Sequence, residues 1–192
     1  SGAHKTKIGK FESAGDGVLF LDEIGDMNID LQAKLLRVLE DKEFYPLGSR
    51  SLKKVDVRIV AATNQGLNKL VKKNLFREDL FYRLNVVHIS LPSLKERKED
   101  IRLLVDHFIK KYSSERKSDI AVSGVDQDVD RLFYDYSWPG NVRELENVIE
   151  RVMILCTNDV VTVEDLPRGF RDNVHNTLHL DGIPANARLY ET

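Results

Sequence analysis

The chain has 192 residues, of which 42% are hydrophobic and 31% are charged, as is typical of a globular protein with one or two domains. Its formal net charge of −2 excludes the strongly basic balance with which many proteins bind nucleic acid directly. No apolar stretch approaches the roughly 18 residues that a membrane span needs, so we expect a cytoplasmic protein without membrane contact.

The beginning of the chain predicts a strand, a helix and a hairpin. The apolar run at 18–21 is typical of a strand that is buried on both faces of a sheet. Asp30 is a candidate N-cap for an amphipathic helix over 31–41, whose apolar residues recur at helical spacing. A stretch with Gly, Ser and basic residues at 44–54 predicts an exposed hairpin or loop.

Two further apolar runs predict strands. One covers 57–62, and the other covers 86–91, where Pro92 stops it. Because strands alternate with helical patterns, this part of the chain is predicted to be an α/β fold. We place its end near residues 92–95.

The rest of the chain predicts helices and no convincing strand. Ser93 and Glu96 fit a capping box, and Asn141 with Glu144 fits a similar arrangement. Cys156, the only cysteine, cannot form an internal disulfide and is expected to be a reduced core thiol. Amphipathic patterns predict three helices, over 101–112, 129–133 and 142–156. The sequence therefore predicts an α/β part over 1–93, a small all-helical domain over 94–172 and a linker or tail over 173–192.

Two adjacent carboxylates follow the first predicted strand. These residues are Asp22 and Glu23. Ligands of open α/β sheets bind at the carboxyl ends of strands. One carboxylate in that place can hold a hydrated Mg²⁺, and its neighbour can orient an attacking water. The alternative is that the pair only marks a strand that leaves the core.

An amide follows the next predicted strand. If the strands at 18–21 and 57–62 are neighbours, Asn64 lies beside the acidic pair at one edge of the sheet. A neutral amide there can hydrogen-bond a phosphate oxygen or a water. Asparagine is also a common strand terminator, and this alternative stays open.

Two arginines stand six positions apart, at Arg77 and Arg83. Six residues correspond to about 600° around a helix, so the two guanidinium groups would not share a face. An arginine supplied by a neighbouring subunit is a common way to neutralise a transferring phosphoryl group. In the alternative, both arginines form ion pairs with Glu78 and Asp79 on a solvated face.

Arg143 stands where a cation is unfavourable. It is the second residue after the proposed cap, Asn141, where the helix dipole disfavours positive charge. A bound anion would relieve this conflict, which points to a ligand. The alternative is a long side chain that lies over Trp138 with its charged end in water.

Two kinds of site have no support in these residues. The 192 residues contain no G-x-x-x-x-G-K-[ST] phosphate loop, and one cysteine with scattered histidines does not match a zinc spacing.

Taken in order, these segments resemble the central AAA+ domain of bacterial sigma-54-dependent transcription activators of the NtrC/NifA type. The similarity runs from residue 1 to about residue 172. Residues 9–26 resemble the Walker B block, and residues 32–39 resemble the helix that follows it. Residues 55–64 resemble the sensor I strand, and residues 76–86 resemble the arginine-finger segment. Residues 91–97 resemble the start of the lid, and residues 138–145 resemble the sensor II signature.

The resemblance implies a ring-forming ATPase, a hexamer or heptamer, that uses ATP and Mg²⁺ to remodel the sigma-54 RNA polymerase holoenzyme at promoters. It implies that Asp22 coordinates Mg²⁺, Glu23 activates water and Asn64 senses the γ-phosphate. It also implies that Arg77 and Arg83 reach the neighbouring subunit's site. It further implies that Arg143 closes the lid over the nucleotide.

The resemblance also sets expectations outside these motifs. Ser1, Gly2 and Ala3 resemble the end of the GAFTGA loop that touches sigma-54, with serine in place of threonine. Residues 44–54 resemble a second surface loop. We expect the phosphate loop to lie upstream of residue 1 and DNA to be bound by a separate domain, so that these residues alone bind ATP very poorly. The alternative is a natural truncated form that acts as an assembly or dominant-negative module.

Overall fold

The computed structural model describes residues 8–46, 48–115 and 122–171. The chain divides into two units between Ile89 and Ser90, a few residues before the boundary that we place at 92–95. Each unit has a hydrophobic core of its own. None of the helices in the described ranges combines the length and the apolar character of a membrane span.

The first unit alternates helices with short strands. Its helices are α1 (Lys10–Ala14), α2 (Ile29–Asp41), α3 (Leu67–Lys72) and α4 (Glu78–Leu84). Its strands are β1 (Val18–Leu21), β2 (Glu43–Phe44), β3 (Lys53–Lys54) and β4 (Arg58–Ala61). A 3-10 turn at Ile24–Asp26 follows β1. The core of this unit is formed by α2, α4, the 3-10 turn and the residue Phe76 ahead of α4. Its buried side chains are Ile24, Leu35, Leu36, Phe76 and Leu80.

Strands β1 and β4 pair in parallel, with Val18 opposite Arg58 and Leu21 opposite Ala61. The predicted burial of β1 on both faces is wrong. Val18 is 61% exposed and Phe20 is 58% exposed, because side chains alternate between the faces of a strand and only the other face is packed.

The helix α2 begins earlier than predicted, and its cap is a different residue. The side chain of Asn28 accepts a hydrogen bond from the backbone N–H of Leu31 at 2.9 Å, so Asn28 and not Asp30 is the N-cap. The hairpin predicted within 44–54 is confirmed, since β2 and β3 pair in antiparallel fashion.

The strand predicted over 86–91 is wrong. These residues form no strand, and their apolar side chains, Val86, Val87, Ile89 and Leu91, are all exposed. A strand needs a partner for its backbone groups, and no described residue pairs with this segment.

The second unit is mainly helical. Its helices are α5 (Glu99–Glu115), α6 (Gln127–Asp135) and α7 (Asn141–Leu155). The capping box of Ser93 and Glu96 is confirmed, although it begins a short 3-10 helix, Leu94–Glu96, ahead of α5. The expectation of no strand here is wrong, because β5 (Gly124–Val125) and β6 (Val160–Val161) form a short parallel pair. The core includes Trp138, Leu145 and Cys156, all buried.

Candidate functional site

The acidic pair ends β1 in an unusual backbone conformation. Glu23 has a φ of 53°, in the left-handed region. Its backbone N–H donates a hydrogen bond to Asp22 Oδ1 at 2.9 Å. A residue other than glycine is uncommon in this region, and such residues tend to cluster at functional sites. Both side chains are exposed, so a ligand at the carboxyl end of β1 can reach them.

The turn after β4 lies beside the acidic pair. The backbone ladder continues past both strands, since Ala62 N–H donates to Leu21 O at 2.8 Å and Ile24 N–H donates to Ala62 O at 3.0 Å. Asn64 comes two residues after Ala62 and is exposed. The parallel register therefore brings Asn64 and the acidic pair to the same edge of the sheet.

Two further contacts join the turns that follow the strands. A Cβ atom on Gly25 would lie 2.9 Å from Thr63 Oγ1, so glycine permits a close approach that a larger residue would prevent. The side chain of Gln65 donates a hydrogen bond to Asp26 Oδ1. Both contacts hold the end of β1 against the end of β4.

The acidic pair suits a magnesium ion that is bound together with a nucleotide. Proteins usually hold Mg²⁺ with one or two carboxylates, while waters and substrate phosphates supply its other ligands. In the described part of the chain, no three His, Cys, Asp or Glu side chains are grouped as a metal site. Asp22 uses Oδ1 to bind the backbone of Glu23, which leaves Oδ2 available to an ion.

Arg77 lies directly before α4 and is paired with Asp79. Its Nε donates to Asp79 Oδ1 at 3.0 Å and its Nη2 donates to Asp79 Oδ2 at 2.6 Å. These hydrogen bonds, together with the opposite charges, raise the pKa of Arg77 and lower the pKa of Asp79. The side chains of the pair are partly exposed.

Arg83 lies in the last turn of α4 and has a different kind of partner. Its Nη2 donates to the backbone oxygen of Leu39 in α2 at 2.9 Å. The alternative in which both arginines pair with Glu78 and Asp79 is therefore wrong for Arg83 and correct only for Arg77 with Asp79. Within this chain the two guanidinium groups therefore have different partners.

Arg143 lies in the first turn of α7, in the second unit. Its side chain is exposed and forms no ion pair or hydrogen bond with another described residue. The guanidinium is thus available to an anion from outside the chain.

Glu144 stabilises the turn before α7, and this role was missed in the sequence. Its carboxylate accepts a hydrogen bond from Gly140 N–H at 2.8 Å and another from the Tyr136 hydroxyl at 3.0 Å. Burial, and then the hydrogen bond to Glu144, raises the pKa of Tyr136 to about 12. The spacing of Asn141 and Glu144 was the available signal, but it predicted the wrong bonds.

The side chain of Asn141 does not cap α7. It accepts a hydrogen bond from the backbone N–H of Leu94 at 2.8 Å, and Gly140 occupies the N-cap position. Asn141 has a φ of 54° and Trp138 a φ of 47°, so two residues of this turn are in the left-handed region. Asn141 and Glu144, two positions and one position from Arg143, both make hydrogen bonds at the start of α7.

The two surface loops that the resemblance predicts differ in how much of each the structure describes. Ser1, Gly2 and Ala3 lie outside the described residues. The hairpin of β2 and β3 is described on both sides of its tip, where Tyr45 is 65% exposed. Phe44 packs against Phe11 of α1 with ring centroids 5.8 Å apart, which anchors the base of the hairpin.

Comparison with known protein families gives two matches along the chain. Residues 1–90 match the sigma-54 interaction domain, and residues 95–181 match an AAA+ ATPase lid domain.

Several bacterial regulators are similar over most of the chain. The regulatory protein AtoC of Escherichia coli (strain K12) is 48% identical over 188 residues, which are 98% of this chain and 40% of AtoC. The DNA-binding transcriptional regulator NtrC of Rhizobium meliloti is 47% identical over 174 residues, which are 91% of this chain and 35% of NtrC. The chain thus covers less than half of the length of each of these two relatives.

The crystal structure of NtrX from Brucella abortus in complex with ATP is also similar. It aligns with a TM-score of 0.80 and 40% sequence identity, over 88% of this chain and 39% of that chain. The structure of NtrX in complex with ADP gives a TM-score of 0.79. The predicted fold class, a partial AAA+ sheet followed by a helical lid, is confirmed by these alignments.

Proposed function

Because this chain belongs to the AAA+ family of bacterial sigma-54-dependent transcription activators, we propose that it is the part of an activator that hydrolyses ATP. That hydrolysis drives the remodelling of the closed complex of sigma-54 RNA polymerase, so that the promoter opens. One observation carries the proposal: the parallel pairing of β1 with β4 brings the acidic pair and Asn64 to one edge.

The residues at this edge have separate tasks in the proposed reaction. Asp22 holds Mg²⁺, which would neutralise charge on the phosphate oxygens of bound ATP. Glu23 accepts a proton from the attacking water and orients it. Asn64 hydrogen-bonds the γ-phosphate or that water without adding charge to the edge. The ATP in the related NtrX structure supports this choice of nucleotide.

The arginines complete the site from two directions. Arg77 and Arg83 serve the nucleotide of the next subunit in a ring, where a guanidinium neutralises charge that develops on the transferring phosphoryl group. Arg143 contacts the nucleotide of its own subunit from the lid, and its exposed, unpaired guanidinium in the first turn of α7 supports this role.

The partners follow from the same assignment. Sigma-54 RNA polymerase holoenzyme is contacted through Ser1, Gly2 and Ala3. DNA is bound by a separate domain of the activator. A hexameric or heptameric ring in the cytoplasm is the proposed working form.

The acidic pair can be tested by substitution in the complete gene product. The substitution Glu23→Gln removes the base but keeps the shape of the side chain, so ATP binding should be retained while kcat falls by about 100-fold or more. Steady-state ATP hydrolysis and a nucleotide-binding titration measure the two quantities. Glu40→Gln makes the same chemical change at an exposed position of α2 and should leave both unchanged. Near-normal hydrolysis by the Glu23→Gln variant would refute the assigned role.

Subunit mixing tests the arginines. The substitution Arg77→Ala should abolish most hydrolysis, because each site loses the guanidinium of its neighbour. Mixing that variant with Glu23→Gln subunits should restore part of the activity, since some sites then combine an intact acidic pair with an intact arginine. A mixture as inactive as its components would argue that Arg77 acts within its own subunit.

A further inference from the structure

Gln32 is the one polar side chain that is fully buried in the described part of the chain. It lies in the first half of α2, between the 3-10 turn after the acidic pair and the segment that leads to Arg77. A buried amide is unfavourable unless its hydrogen bonds are satisfied. The partners of Gln32 therefore indicate why an amide occupies this place in an otherwise apolar core.

The amide of Gln32 joins two segments that are far apart in the sequence. Its Nε2 donates to Met27 O at 2.6 Å and to Leu75 O at 3.1 Å, and its Oε1 accepts from Arg77 N–H at 2.8 Å. The orientation of the amide is determined by these partners, because two carbonyl oxygens require donors and one N–H requires an acceptor. No apolar side chain of the same length can make these three bonds.

The two joined segments are not equally well supported without Gln32. Met27 follows a turn that is also held by the Ile24–Ala62 backbone bond and by the Asp26–Gln65 side-chain bond. On the other side, Leu75 N–H donates to Leu70 O and Arg77 O accepts from Phe81 N–H, while Leu75 O and Arg77 N–H have Gln32 as their partner. Loss of the amide should therefore loosen the backbone between Leu75 O and Arg77 N–H and leave the acidic pair in place.

We propose that Gln32 is a positioning residue, which sets the backbone of Leu75–Arg77 at a defined distance from the acidic pair. This inference rests on the proposed role of Arg77 in the neighbouring subunit's site. Gln32 thereby links the turn at a subunit's own nucleotide to the arginine which that subunit presents to the next one. Small displacements of such an arginine have large effects on rate, because charge neutralisation requires an accurate approach to the phosphoryl group.

The substitution Gln32→Met keeps the length of the side chain and removes all three bonds. In the complete gene product, kcat for ATP hydrolysis should fall by about tenfold or more while KM stays close to the wild-type value, since the acidic pair is intact. Amide hydrogen exchange at Arg77 should become faster, because its N–H loses its acceptor. Mixing Gln32→Met subunits with Glu23→Gln subunits should restore activity at about a quarter of the interfaces in a random ring.

The substitution Leu35→Ala is the control for a merely structural role. Leu35 is buried in the same helix and the same core but makes no contribution to this hydrogen-bonded bridge. If Gln32→Met only weakens the core, both variants should lose stability without a selective fall in kcat, and mixing should not repair either. That result would overturn the inference.

A second variant keeps the test decisive if Gln32→Met does not fold. The substitution Gln32→Glu retains an acceptor for Arg77 N–H and replaces the donor to Met27 O and Leu75 O, so its kcat should fall below the wild-type value while its KM stays unchanged. A Gln32→Glu variant with wild-type kcat would overturn the inference. Hydrolysis that Arg77→Ala leaves intact would instead refute the proposed role of Arg77 itself.

Discussion

Asp79 holds the guanidinium of Arg77 in one orientation. The carboxylate is itself fixed, because it also accepts a hydrogen bond from Leu80 N–H at 2.7 Å. Since Arg77 holds the pKa of Asp79 below its ordinary value, the pairing persists through neutral pH and is lost only as the pH falls through that lowered pKa. At neutral pH, the remaining N–H groups of Arg77 therefore point in a defined direction.

We expect Asp79→Asn to lower kcat about tenfold and to leave KM for ATP nearly unchanged, because a neutral amide orients the guanidinium less well. Steady-state hydrolysis by the complete gene product measures both constants. Glu78→Gln is a suitable control, since Glu78 is exposed and forms no hydrogen bond with another described residue. An increase in kcat for Asp79→Asn would contradict the prediction and would mean that the pair withholds the arginine.

The sequence predicts some of these residues and not others for a physical reason. Polar residues directly after an apolar run mark the end of a strand, so Asp22 and Asn64 could be placed at strand ends. Parallel neighbours then bring the two ends together. Gln32 could not be found in this way, because all its partners are backbone atoms and two of them, Leu75 O and Arg77 N–H, are more than 40 residues away along the chain.

At the level of elements, one carboxylate joins the two sides of the junction between α6 and α7. Tyr136, after the end of α6, and Gly140, before the start of α7, both donate to Glu144. Because the pKa of Tyr136 is raised to about 12, its neutral form is favoured by folding. This contribution to stability is complete below the ordinary tyrosine pKa of about 10 and is lost as the pH rises through the folded value.

We expect Tyr136→Phe to reduce the free energy of unfolding by about 1 kcal/mol at neutral pH, since one hydrogen bond to a carboxylate is lost. The difference from wild type should disappear as the pH rises through about 12, the raised pKa of Tyr136. Urea unfolding at a series of pH values measures this difference in the free energy of unfolding. Tyr134→Phe, at an exposed position of α6, should have no such effect. Equal stability of the Tyr136→Phe variant and wild type at neutral pH would contradict this prediction.

Helices could be predicted better than strands in this chain. A helix satisfies its backbone within one segment, so periodic apolar residues predicted α2, α5, α6 and α7. A strand is defined by its partner, which a single run of residues cannot show. The run at 86–91 therefore predicted a strand that does not form, while β5 and β6 were missed because each has only two residues.

At the level of the whole molecule, the two units have separate cores of unequal size. The core of the second unit contains far more buried side chains than that of the first. Trp138, the only tryptophan of the 192 residues, lies in the larger core and is 1% exposed. Its fluorescence therefore reports the unfolding of the second unit alone.

We expect urea to unfold the first unit at a lower concentration than the second, because less apolar surface is buried there. Circular dichroism of this chain should show an early change that Trp138 fluorescence lacks. Leu80→Ala should shift only the early change, and Leu145→Ala should shift only the later change that both signals report. Each substitution should lower the free energy of unfolding of its own unit by about 2–5 kcal/mol, since both leucines are fully buried. Coincident transitions in both signals would contradict this prediction.

The exposed stretch at 86–91 has a practical consequence for handling the chain. Several of its side chains are apolar and β-branched, and its backbone groups lack partners among the described residues. An exposed segment of this kind can pair with the same segment of another molecule and form an intermolecular sheet. Pro92 limits how far such a sheet can extend, because proline cannot donate to it. Concentrated solutions of these 192 residues should therefore aggregate and become turbid. The substitution Val87→Lys should prevent this turbidity, because a charge opposes the pairing, and it changes neither core.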